Sequence, residues 1–135
     1  MVVINSVQST DVQDALPEGK KSLTEFPIRT ALSGAVVVCP TGRLNMAVAP
    51  AFRTQLRTLV ASGSARVVVD LSGIESIDSS GLGALISGLK AARLVGGDMR
   101  IAAPPAQVKA VLELNNLDRV LQFHDLADDA FNDRA

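Results

Sequence analysis

Apolar and polar positions follow no sustained period over residues 1–25 and fall into order from Phe26 onward. The opening stretch mixes "PEGKK" with scattered aliphatics. It reads as a flexible N-terminal arm ahead of a single domain over residues 26–135, with Val2 to Ile4 able to add an edge strand. "FPIRTAL" and "AVVVCPTG" then read as two strands, and Ser33-Gly34 between them suits a hairpin turn, so the start is expected to be antiparallel. In "NMAVAPAFRTQLRTLVAS", Phe52, Leu56, Leu59 and Val60 recur at helical spacing, Pro50 fits the first turn, and Ser62-Gly63-Ser64 ends the segment. "ARVVVDL" is a continuous apolar run, the habit of a parallel strand buried on both faces.

The alternation continues to the end of the chain. Leu82, Leu85, Ile86 and Leu89 fall at i, i+3, i+4 and i+7, so "SGLGALISGLKAARLV" predicts a helix with one core face, ended by Gly96-Gly97. "DMRIAAP" is the next strand. "PAQVKAVLELNNL" is a helix opened by Pro105 and stopped near Asn115-Asn116, and "RVLQF" is a last strand. Asp125 suits the N-cap of a short terminal helix, "LADDAFND". The pattern predicts an α/β fold: one mixed sheet with helices packed on it, right-handed crossovers, and a functional edge at the carboxyl ends of the parallel strands. Residues 75–81 lie on that edge.

Composition narrows the function classes. Among 135 residues, 47% are hydrophobic, enough for one real core but not for two domains. Thirteen Lys and Arg against fourteen Asp and Glu leave a formal charge of −1, so no global field draws the chain to nucleic acid or an anionic membrane. No apolar run approaches the length of a membrane span, and "MVVINSVQSTDVQ" lacks the features of a secretory signal, so a cytoplasmic protein is expected. A lone cysteine, Cys39, allows no internal disulfide or thiolate cluster, and within "AVVVCP" it reads as a buried, inert thiol.

The segment that demands chemistry is "IDSSGLG", residues 77–83, which stands between the strand "ARVVVDL" and the following helix and brings together an acid, two serines and two glycines. Asp78 or Ser79 can cap the helix by accepting from an unpaired backbone N–H. A hydrolytic serine is disfavoured, because the segment lacks the G-x-S-x-G form and the single histidine, His124, follows the last strand. A phosphate-cradling loop is disfavoured too, since "SSGLG" matches neither standard nucleotide motif. The remaining reading is a kinase substrate. A serine at a helix N-terminus offers an exposed hydroxyl, Gly81 and Gly83 leave little to obstruct an approaching protein, and the helix dipole tolerates an added phosphate.

The run "VVVDLSGIESIDSSGLGALISGLKAARLVGGDMRIAAP", followed by "VKAVLELNNLDRVLQF", closely resembles the STAS domain of bacterial anti-sigma factor antagonists. The resemblance covers about residues 26–131, and D-S-S-G-L-G is its most specific part. It implies a non-enzymatic domain that binds an anti-sigma factor with serine-kinase activity and so frees a sigma factor for transcription. Phosphorylation of the first serine after the aspartate, Ser79 here, breaks that complex, and a serine phosphatase restores it. ATP and magnesium belong to the kinase, so this chain needs no cofactor or metal of its own. Asn45, Asp78, Ser80, Gly81, Leu82 and Gly83 are the expected partner-binding residues. A STAS subunit of a stress-signalling scaffold or lipid-transport complex, and a small-molecule sensor, are the alternatives.

One position departs from the family pattern. Members commonly carry an acid at the end of a G-E-L-D type stretch before the first helix, where this chain has Gly42-Arg43-Leu44-Asn45. Replacing that acid with an amide beside Arg43 alters the field near the serine pair. The plainer alternative is that Asn45 caps the following helix.

Overall fold

A computed structural model describes residues 26–131. The arm over 1–25, with the Val2 to Ile4 strand, lies outside the described residues, as do residues 132–135. The hairpin forms as expected: β1 (Ile28–Thr30) pairs antiparallel with β2 (Val36–Val38). The run continuing from β2 does not remain one strand, however. Pro40 has no N–H to give to a ladder, so the chain turns there and resumes as β3 (Thr41–Leu44). Helix α1 (Ala49–Ala61), with Pro50 in its first turn, leads to β4 (Arg66–Asp70). After β4 the chain bends again, where Asp70 Oδ1 accepts from the Ser72 N–H at 2.9 Å. It then forms β5 (Gly73–Ile77), a strand the apolar pattern did not predict.

The remaining elements are α2 (Ser79–Leu94), β6 (Asp98–Ala102), α3 (Ala106–Leu114) and β7 (Phe123–His124). The main sheet runs β1-β2-β4-β6-β7, parallel except for β1, while β3 and β5 form a separate parallel pair. The neighbours β2 and β4 thus bend at the same level and continue side by side as β3 and β5. This small sheet places the functional edge.

The helix-facing core holds Phe52, Leu56, Val67, Val69, Leu85 and Ile101, all almost fully buried. The Phe26 ring meets Phe52 edge-on at 5.6 Å. Gln55 clamps the Phe26 backbone from both sides, accepting its N–H at 2.8 Å and donating to its carbonyl at 2.7 Å. In α2 the stripe facing the core is smaller than the leucine spacing suggested. Gly81, Ala84, Leu85, Gly88, Leu89 and Ala92 are buried, while Leu82 and Ile86 lie half-buried at its margin.

The other face of the sheet is covered by the C-terminal segment. Ala127, Ala130 and Phe131 pack on Val37, Val68 and Ala102, so the three valines of β4 are buried from both sides. Two expectations for this end are corrected. The last strand is confined to Phe123–His124, because residues 117–119 wind into a 3₁₀ turn. Residues 127–129 form a second 3₁₀ turn, flanked by Leu126 instead of capped by Asp125.

Cys39 lies at the end of β2, half-buried beside this second core. Burial pushes its thiol pKa up and the Asp70 carboxylate adds to the effect, against a smaller opposing pull from Arg29. The thiol therefore stays protonated at neutral pH. With the folded value above the unfolded one, the unfolded chain ionises first as pH rises past about 9, so alkaline conditions favour unfolding. Iodoacetamide at pH 8 is expected to modify folded Cys39 several-fold more slowly than the urea-unfolded chain; equal rates would contradict this.

Candidate functional site

Parallel pairing of β3 with β5 sets Leu44 beside Ile77, so Asn45 and Asp78 leave adjacent strands at the same edge. The Asp78 N–H donates to the Leu44 carbonyl at 3.3 Å, which ties the two exits together. Asp78 is the N-cap of α2. One carboxylate oxygen accepts from the Gly81 N–H at 3.0 Å, and the other accepts from the Met46 N–H of the neighbouring loop at 3.2 Å. A single carboxylate thus closes the start of α2 and pins the loop before α1.

Asn45 does not cap α1. Its Oδ1 accepts from the Ala47 N–H at 3.0 Å and its carbonyl accepts from the N–H groups of Val48 and Ala49, closing the turn that enters the helix. The N-cap position of α1 is Val48, which offers no side-chain acceptor.

With the cap assigned to Asp78, Ser79 and Ser80 become the first two residues of α2. Ser79 is exposed, whereas Ser80 is half-buried and lines a groove of about 430 Å³ together with Met46, Ala49, Pro50, Arg53 and Thr54. Neither serine hydroxyl makes a hydrogen bond among the described residues. Leu82 and Gly83 are half-buried next to them.

Gly81 is not part of an open surface, contrary to expectation. It is buried, and a β-carbon there would collide with the Leu44 carbonyl and lie 2.8 Å from Ile77 Cγ1. Its hydrogen atom is what lets α2 start against β3. His124 sits on the edge strand β7, its Nε2 3.2 Å from Gln122 Oε1, and takes no part in this arrangement. The sequence pointed to Asp78, the serines and Asn45, but not to Arg53 or Met46, which come from α1 and its entry loop. Their only signal was position, near the departure at Asn45.

This architecture, with its capped serine pair at a strand-to-helix edge, can be set beside known proteins. The family model described as "Mlab, STAS domain" matches residues 29–123, and the chain belongs to the STAS domain family of anti-sigma factor antagonists. It is 30% identical over 109 residues to a Thermotoga maritima protein named "Putative anti-sigma factor antagonist", covering 80% of this chain and 96% of that one. The crystal structure of an anti-sigma factor antagonist from Mycobacterium paratuberculosis matches with a TM-score of 0.70 at 25% identity, over 79% of this chain and 90% of that one. The antagonist SpoIIAA in its unphosphorylated form shares the fold at 19% identity, with a TM-score of 0.63 over 73% of this chain and 86% of that one. SpoIIAA from Bacillus is also known in a phosphorylated form. Among the described residues, no helix is long and apolar enough to cross a membrane.

Proposed function

We propose that this protein is a non-enzymatic switch that binds an anti-sigma factor with serine-kinase activity and lets it go once Ser79 is phosphorylated. The observation that carries this reading is the division of labour at the start of α2. Asp78 supplies the helix cap, so the exposed Ser79 hydroxyl is not needed by the fold and is open to a partner. The family relationship supports an anti-sigma factor as that partner.

In the modification step the partner transfers the γ-phosphoryl group of ATP. The bridging P–O bond to ADP breaks, a bond from phosphorus to Ser79 Oγ forms, and the hydroxyl proton passes to a base on the kinase. The product carries roughly −1.5 to −2 added charges next to Asp78, while the positive end of α2 accepts them without loss of helix. Binding weakens because the contact surface has gained negative charge beside Asp78, not because the domain has unfolded. A serine phosphatase resets it. The contact patch comprises Asn45, Asp78, Ser80, Leu82 and Gly83 around Ser79, with Gly81 supporting it from below. Such a protein acts in the cytoplasm.

The reading is tested by incubating the protein with a purified anti-sigma factor of the serine-kinase type and Mg-ATP, then mapping peptides by mass spectrometry. One phosphate on Ser79, lost in Ser79→Ala while circular dichroism is unchanged, is the expected result. Label on Ser80, or outside residues 78–81, would overturn the assignment.

A further inference from the structure

Arg53 reaches from α1 to the first turns of α2. A β-carbon built on Gly83 would lie 3.4 Å from its Nη2, and the same arginine lines the groove that Ser80 enters. Gly83 follows Ser79 by four residues and Ser80 by three, so on an α-helix it is the surface neighbour of both, with β-carbon separations of about 5–6 Å. The guanidinium therefore rests one turn along α2 from the serine pair, and no side chain at residue 83 stands between them.

This cation has no hydrogen bond or ion pair among the described residues. Helix α1 carries Arg53 and Arg57 and no carboxylate. The acid adjoining the serines, Asp78, is already engaged by the N–H groups of Gly81 and Met46. An anion added to Ser79 would thus meet a fixed carboxylate on one side and an uncommitted guanidinium on the other.

We propose that Arg53 is the internal receptor for a phosphate on Ser79. The inference rests on Ser79 being the modified residue and adds what the modification does. The phosphoryl group draws the guanidinium off Gly83 into a charge-assisted, two-point pair, the geometry for which arginine is suited. Phosphoserine and Arg53 then lie together across the groove lined by Met46, Pro50 and Thr54. The surface offered by the unmodified protein is covered by its own side chain, so release of the partner follows from occlusion as well as from charge.

The test uses the full chain with phosphoserine incorporated at position 79 during translation, so it needs no kinase and stands or falls separately from the identity of the partner. The probe is the phosphate itself, titrated by ³¹P NMR. An adjacent cation favours the dianion, so the second phosphate ionisation is expected about half a unit lower in the native background than in Arg53→Ala. Adding 0.5 M NaCl should shrink the difference, and Arg57→Ala should leave the curve in place. Coincident curves for the native background and Arg53→Ala, with amide spectra confirming that both are folded, would overturn the proposal. An equal displacement from Arg57→Ala would overturn it too, by showing a diffuse basic field instead of a specific pair. A larger Arg53-dependent shift for phosphoserine placed at 80 would overturn the assignment to Ser79.

Discussion

Gly81→Ala is expected to lower the stability of the domain by about 3 kcal/mol, whereas Gly83→Ala, two residues along the same helix, raises it by about 0.5–1 kcal/mol. The added methyl group is identical, and both sites are in α2. At position 81 it meets the Leu44 carbonyl and the Ile77 side chain, and a backbone atom cannot swing aside as the end of a flexible side chain can. Relief requires α2 to lift from β3, which stretches the bonds that join Asp78 to the Leu44 carbonyl and the Met46 N–H. At position 83 the nearest atom is the mobile end of Arg53 at 3.4 Å, so the methyl group fits and the helix gains the better propensity of alanine. Urea denaturation of both variants reads the two signs directly. A stable Gly81→Ala protein would mean that the contact between α2 and β3 is looser than described. Loss of partner binding in any Gly81 variant is accordingly a consequence of the fold, not evidence of contact at that residue.

The contrast also shows what the amino-acid pattern could and could not reveal. The two glycines of "SSGLG" look alike in sequence, and only the pairing of β3 with β5 separates them. That pairing was illegible because Ile74 and Ile77 are three residues apart and do not alternate, while Pro40 divides a run that reads as one strand. The continuous run Val67–Val69 was legible because both of its faces are buried, though it announced only that something covers each face. Asp78 and the serine pair were legible as a helix start. Which residue capped it was not, since aspartate and serine are near-equal caps and the choice depends on which side chain also reaches Met46. Arg53 was invisible for a different reason: its proximity to Gly83 depends on how α1 packs against α2.

Phe131→Ala is expected to cost about 3 kcal/mol and to lower the melting temperature by roughly 10 °C or more, with no effect on phosphorylation of Ser79 below the transition. Phe131 is 7% exposed and closes the apolar face formed by Val37, Val68 and Ala102, opposite the helices. Its ring also lies beneath Arg100, with 4.2 Å from the guanidinium carbon to the ring centroid, and Arg66 stands at 5.9 Å. Arg100 Nη1 donates to the Ala130 carbonyl at 2.8 Å, and Asp128 accepts from the Leu32 N–H at 3.2 Å and pairs with Arg29 at 3.4 Å. The exposed Arg29–Asp128 pair contributes little by itself, roughly 0–1 kcal/mol, so the ring is the main fastening of this segment. Removing it leaves the central valines of β2 and β4 partly open to water, and the cost is that of lost burial plus an incompletely filled space. Because Ser79 and the start of α2 pack on other elements, the phosphorylation proposed for Ser79 should proceed at the native rate at 25 °C. A thermal melt and a phosphorylation time course on the same preparation decide the matter. A fall in rate without a fall in melting temperature would show that the outer face of the sheet is coupled to the serine edge, which the packing described here does not provide.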